Sequence, residues 1–495
     1  MDISRRNFLK STVSFGAIAS LGLPGYSLAA PSNDFRALIC VYLAGGNDAI
    51  NTILPLSDFH YNQYANVRGS LSVAKNTIIP IGLNAHDANN NAVPLGLHPK
   101  LSALAPLFQQ GDANLVLNSG ILNQPVTKQA IEQGDVPLPE QLFSHNSQTA
   151  SWLRGGMDAS TNLGWAGRML DVLTSDAQIT PLYSVHGDTL WLKAMEHRHN
   201  SQTASWLRGG MDASTNLGWA GRMLDVLTSD AQITPLYSVH GDTLWLKAME
   251  HRQTVLKKDK AVQLTAVGNP VYEEIYQKLL SQSADNPFSG HFNLMVDESM
   301  MMSNILAEQL KLIDDAPLFS SSTLGKQMQT VYKLIASQSA LSQQRQVFFV
   351  KHTGYDLHDS QLARHPLLLE DLATNLNAMY RAVDKLGMSK NVTTFTMSDF
   401  GRRMTNNGNG TDHGWGGHQL LIGGAVNGRA PIGTWPELTL GGQDDYSKGR
   451  LIPAIAADQV GSTLAQWMGV SDNAALEYVF PNIRNFTTSN LGFMA

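Results

Sequence analysis

The chain has 495 residues, 43% of them apolar and 15% charged, with a formal net charge of −6 and one cysteine. That length and apolar share suffice for one large globular domain or two ordinary ones. A lone cysteine excludes an intramolecular disulfide, and a negative chain without any block of Lys or Arg speaks against nucleic acid as a partner.

The N-terminus carries Ser4-Arg5-Arg6-Asn7-Phe8-Leu9-Lys10, an apolar run from Val13 to Leu23, and then Ser27-Leu28-Ala29-Ala30. A basic start, a modest apolar stretch and a small-residue end are the layout of a removable export signal. The arginine pattern resembles the twin-arginine signal, so residues 1–30 are expected to be removed, with the twin-arginine translocase as partner during export and the periplasm as destination. The apolar run is too short and Gly-rich for a permanent membrane span. Residues 31–495 carry −8 once the +2 of Arg5, Arg6 and Lys10 against Asp2 is taken away.

Ala37–Leu43 is a short apolar run ending in Gly45-Gly46, which predicts a buried strand. It contains Cys40, whose setting predicts an inert buried thiol. Ala113–Leu117 predicts a second strand. Leu163–Leu173 has helical periodicity and Pro181–Val185 reads as a strand. Ser299–Leu312 and Leu324–Leu341 predict helices, Val347–Val350 a buried strand, and Leu367–Leu386 a helix. Val392–Met397 and Gln419–Ile422 follow as strands, and Val460–Met468 as a helix. Strands alternating with helices predict an α/β fold, a central mostly parallel sheet with helices on both faces. Asn286–Gly290 is the best loop candidate near the middle, and no domain boundary stands out.

Residues 145–198 and 199–252 are identical at all 54 positions. Architectural repeats diverge and stack in threes or more, so two perfect copies read as a recent tandem duplication, or a sequence-assembly error, within one domain spanning 31–495. Only the first copy has the native start, Phe143-Ser144, and only the second runs on into Gln253. The 54 surplus residues are expected to leave from a surface loop, such as Thr174–Thr180 continued at Thr228–Thr234.

Four polar clusters border predicted strands: Gly45-Gly46-Asn47-Asp48, Gly354-Tyr355-Asp356-Leu357-His358, Ser398-Asp399-Phe400-Gly401-Arg402-Arg403, and Thr411-Asp412-His413-Gly414-Trp415-Gly416-Gly417-His418. In open α/β sheets the crevice beyond the strands' carboxyl ends binds ligands. Three carboxylates and two imidazoles there suit Zn²⁺ or Mn²⁺ better than Ca²⁺, which prefers oxygen alone. Such ions, singly or in pairs, assist hydrolysis of phosphate and sulfate esters. Each residue also has a bland reading: Asp as a turn or cap residue, and Arg402-Arg403 as a solvated pair.

These motifs, with Leu97–Leu107 (L-H-P-K-L-S-A-L-A-P-L) and Phe143-Ser144-His145-Asn146, resemble those of the exported bacterial family called domain of unknown function 1501. That family is similar to the alkaline phosphatase and sulfatase superfamily. The resemblance implies an alkaline-phosphatase-like fold with a metal site at the sheet's carboxyl edge. It implies Asp48, Asp356, His358, Asp399 and His413 as ligands of one or two divalent metals. Phe400 stands where a histidine would complete the second site. An alternative alignment takes Asp412-His413 as the Asp-His pair and His418 as the late histidine. Ser144, beside His145, is the candidate nucleophile at a helix start, with simple N-capping as its bland reading. Arg402 is the candidate for holding a small anionic ester. The resulting expectation is a periplasmic metal-dependent hydrolase of phosphate or sulfate esters. The rival is a non-catalytic envelope binding protein with a degenerate site.

Overall fold

The computed structural model describes residues 35–139, 142–143, 154–155, 165–173, 182–184, 236–238, 254–255, 278, 306–341 and 343–495. The export signal, Ser144, His145, Asn286–Gly290 and most of the duplicated stretch lie outside the described residues.

The first strand, β1 (Arg36–Ala44), is buried on both faces, as a central strand of a parallel sheet must be. The strands that follow are β2 (Ile53–Pro55), β3 (Ile79–His86), β4 (Ala92–Leu97), β5 (Ala113–Gly120), β6 (Leu182–Ser184), β7 (Leu236–Ser238), β8 (Thr254–Val255), β9 (Arg345–Thr353), β10 (Val392–Ser398), β11 (Gly417–Ile422) and β12 (Ile455–Ala456). The main sheet runs β12-β5-β11-β10-β1-β9-β6-β7, with β8 beside β6. Both neighbours of β1 are parallel to it, and only β11 runs against its neighbours. Strands β2, β4 and β3 form a separate antiparallel sheet.

Among the described residues the helices include α1 (Asp58–Arg68), α2 (Ala105–Gln110), α3 (Lys128–Gln133), α4 (Trp165–Leu173), α5 (Thr323–Ala336), α6 (Gln361–Lys385), α7 (Ala457–Met468) and α8 (Asn473–Val479). Alternation along β1 separates two cores. Ala37, Ile39, Val41 and Leu43 pack with Met328 and Val331 of α5 and Leu369, Leu372 and Leu376 of α6. Leu38, Cys40 and Tyr42 pack on the other face with Trp165 and Met169 of α4, Val460 and Leu464 of α7, and Val479 of α8. Helices therefore cover both faces, and the α/β fold is as expected. Cys40 is fully buried, and burial pushes its thiol well above the ordinary value.

The first copy of the duplicated stretch supplies both α4 and β6 to the fold, β6 meeting β9 at Leu182↔Val347. The second copy contributes β7, whose Leu236, Tyr237 and Ser238 pair in parallel and in register with the identical Leu182, Tyr183 and Ser184 of β6. This corrects the expectation that all the surplus leaves the sheet: a segment identical to an edge strand has the same side chains for that edge, and it adds to it.

Candidate metal centre

Because β10, β1 and β9 are adjacent and parallel, their carboxyl ends open on one edge. The opposed β11 begins at that same edge, so the loop before it delivers Thr411 to Gly416 there. Gly45 and Gly46, with φ of +117° and +84°, let the β1 loop lie against its neighbours. A Cβ on Gly45 would sit 2.3 Å from the Asp356 amide nitrogen, and one on Gly46 would sit 2.5 Å from the Phe400 ring.

Three of the five expected ligands converge. One ligand atom each from Asp356, His358 and His413 lies within 4.8 Å of the others. His358 Nε2 is 3.0 Å from Asp356 Oδ1, His413 Nε2 is 3.2 Å from the same oxygen, and the two Nε2 atoms are 3.0 Å apart. The outer nitrogens are spoken for. His413 Nδ1 donates to the Phe143 carbonyl at 2.8 Å, and His358 Nδ1 donates to Asp412 Oδ1 at 3.3 Å. A carbonyl oxygen accepts and never donates, so the His413 proton is on Nδ1. The carboxylate of Asp412 places the His358 proton likewise. With the rings neutral, both Nε2 atoms point lone pairs at the carboxylate. Three acceptors this close repel one another unless a proton or a cation lies among them. Tetrahedral ligands bonded at about 2.0–2.1 Å stand about 3.3–3.4 Å apart, close to the observed triangle. The donor set fits one first-row divalent ion.

Asp48 and Asp399 do not join the triangle, which corrects the five-ligand expectation. Asp48 is buried, its two oxygens taking donors from Arg68 and from Gln361 of α6. Burial pushes its carboxyl above the ordinary value, against the pull of Arg68 and Arg402. Asp399 is buried too and accepts from the Tyr42 hydroxyl and, at 3.3 Å, from the Gly45 N–H. Phe400 packs beside the triangle, its ring 4.6 Å from that of His413.

Arg402 is likewise corrected as a substrate-facing group. It is buried, and it donates to Asp356 Oδ1 at 2.9 Å, to the Thr411 carbonyl at 2.6 Å, and to Gly45 O and Thr411 Oγ1 at 3.3 Å each. A guanidinium so engaged braces Asp356. Besides Arg402, the cations that border the triangle among the described residues are Arg403, 3.1 Å from Asp412, and Arg450, which donates to the His413 carbonyl at 3.3 Å and lies over the Phe143 ring at 4.3 Å. Arg450 was not singled out in the sequence, where it sits in a polar loop without a motif. The backing role of Asp412 has a sequence signal, its place beside His413. His418 points elsewhere: it is buried, accepts from the Asn118 amide at 3.0 Å, and burial lowers it to about 3.

The family described as "Protein of unknown function (DUF1501)" matches residues 207–455. No curated protein matches the chain. Among solved structures, "Ps i-CgsB" is 12% identical, with 91% of this chain and 77% of that one covered and a TM-score of 0.32. A protein from Bacteroides fragilis, yidJ, whose name assigns it provisionally to the sulfatases, is 12% identical, with 93% and 80% covered and a TM-score of 0.19. TM-scores this low carry over neither geometry nor chemistry.

Proposed function

The chain belongs to the DUF1501 family, and we propose that it is a periplasmic metal-dependent hydrolase of phosphate or sulfate esters working with one Zn²⁺ or Mn²⁺. The observation behind this reading is the triangle of Asp356 Oδ1, His358 Nε2 and His413 Nε2, with both imidazole tautomers set by their outer acceptors. A divalent ion held there would polarise an ester oxygen and stabilise the charge that develops on it. Arg402 fixes the Asp356 oxygen, while Asp412 and the Phe143 carbonyl fix the two rings. Arg450 and Arg403 border the site with positive charge suited to a small anionic ester. Ser144, the residue after Phe143, is our candidate nucleophile, with His145 beside it. The capture of the Phe143 carbonyl by His413 supports that choice. The rival, an envelope binding protein with a degenerate site, gains weight from the internal bonds of Asp48 and Asp399, which leave ligands for one ion among the described residues.

Elemental analysis of the purified protein should find about one Zn or Mn per chain. His413→Ala and Asp356→Asn should abolish it, and Asp412→Asn should weaken metal affinity by about 10–100-fold. Metal-dependent release of nitrophenol from p-nitrophenyl phosphate or sulfate supports the hydrolase. Metal without turnover, or no metal at all, supports the binding protein, and absence of metal overturns the hydrolase.

A further inference from the structure

The N-terminus of α1 carries a second constellation that the metal centre does not use. Ser57 Oγ lies 2.7 Å from His60 Nδ1, and His60 Nε2 lies 3.2 Å from Asp87 Oδ2. The Asp87 carboxylate is held in turn by the Asn89 and Asn91 amides at 2.9 and 2.8 Å and by the Asn91 side chain at 2.9 Å. An ionised carboxylate only accepts, so the His60 proton is on Nε2 and the Nδ1 lone pair takes the hydroxyl hydrogen of Ser57. Side-chain hydrogen bonding from Asn91 leads the effects that lower Asp87 to about 2, so it stays ionised at neutral pH. Ser57 is the N-cap residue of α1, yet its hydroxyl makes no capping bond. Serine in that place ordinarily bonds the helix's own N–H groups. Here the hydroxyl is turned to the imidazole, and those N–H groups, at the positive end of the helix, are left to an incoming oxyanion. His60 is buried, Ser57 is only half-buried, and Phe59 beside them is 63% exposed with its ring edge-on to His60 at 5.0 Å.

We propose that Ser57, His60 and Asp87 form a second, metal-independent site that reacts with carboxylic esters of short apolar acyl groups. Ser57 Oγ bonds to the ester's carbonyl carbon as its proton passes to His60 Nδ1. The bond to the alcohol oxygen breaks, and the alcohol leaves with that proton. Water then adds to the acyl-serine by the reverse transfer, releasing the acid and restoring the hydroxyl. Asp87 is the positioning residue that keeps the His60 proton on Nε2. The site is separate from the metal centre: α1 has 11 residues, about 16 Å of rise, and its far end bears the Arg68 that holds Asp48.

The full-length protein is treated with a fluorophosphonate probe, with and without a chelator, and the labelled peptide is mapped by mass spectrometry. The adduct is expected on Ser57, at the same rate with chelator. Labelling should vanish in Ser57→Ala and slow at least tenfold in His60→Gln. Asp87→Asn keeps a side-chain oxygen for the turn, so its fold is preserved. It should slow labelling at least tenfold and alter the pH profile of the rate, which a merely structural turn residue would not do. p-Nitrophenyl acetate should be turned over with the same dependence on the three residues. No adduct on Ser57 of the unmutated protein, an adduct whose rate ignores Asp87→Asn, or loss of labelling with chelator overturns the proposal.

Discussion

His365, His98 and His418 show what burial does to a titrating group. Burial is the leading cause that holds them at about 3, 4 and 3, against about 6.5 in an unfolded chain. Between those values the unfolded chain binds protons that the folded one does not. The stability they contribute is therefore complete above about pH 6.5 and is lost as the pH falls toward 3. Asp458 works in the opposite sense: burial raises it to about 7, so its contribution is present below about pH 3.8 and lost as the pH rises through 7. His418→Leu separates these effects. Removing the acceptor of the Asn118 N–H should cost about 1–3 kcal/mol at neutral pH. The acid limb of denaturant-melt stability between pH 6.5 and 3 should become shallower than in the parent. An unchanged slope would show that His418 is not protonated on unfolding in that range.

At the scale of elements, the duplication gives the sharpest test. The first copy places Trp165, Ala166 and Met169 in the core, and its Arg168, fully buried, donates to the carbonyls of Arg154 and Val479. The second copy adds β7 at the sheet edge. Deleting residues 199–252 restores the native join of Arg198 to Gln253 and keeps α4, β6 and the β6–β9 contact. The 441-residue protein should melt within a few degrees of the parent or above it, while a fall of more than about 10 °C would make the second copy a structural unit. The strands next to the site were legible because Val347–Val350 is an unbroken apolar run and Val392–Met397 (V-T-T-F-T-M) is rich in β-branched residues of high strand propensity; both are buried on both faces. Helix ends were less so. α6 begins at Gln361, ahead of its internal Pro366, because a proline in the second turn forfeits one N–H bond without ending the helix. α5 stops at Ala336, where the Ser337 hydroxyl bonds back to the Lys333 carbonyl and polar residues replace the apolar stripe. The antiparallel sheet is not among the strands the sequence predicts, although β3 alternates in burial at Ile81, Leu83 and Ala85. Of the site, Asp356, His358 and His413 were readable from their motifs. The engagement of Asp48 by Arg68 was not, because no spacing rule ties the β1 loop to the end of α1.

For the whole molecule, the expected export route sets a requirement the fold must meet. Replacing Arg5 and Arg6 by lysine should leave full-length precursor in the cytoplasm, seen as an unshifted band in fractionated cells. Normal processing of the double variant would count against twin-arginine export. No helix among the described residues is long and apolar enough to cross a membrane. The order of strands adds a kinetic side to this. Arg36 of β1 faces Arg345 of β9, and Ala37 faces Val392 of β10, so the innermost strand waits for partners made most of a chain later. Closing such long loops comes before any reward from pairing, which makes the contact order high and the folding slow. A ribosome must deliver the chain through β9 and β10, as far as Ser398 of 495 residues, before β1 has both its neighbours. Until then its apolar run needs shelter from aggregation, and a transporter that accepts only finished molecules is matched to a chain whose centre is the last part to settle.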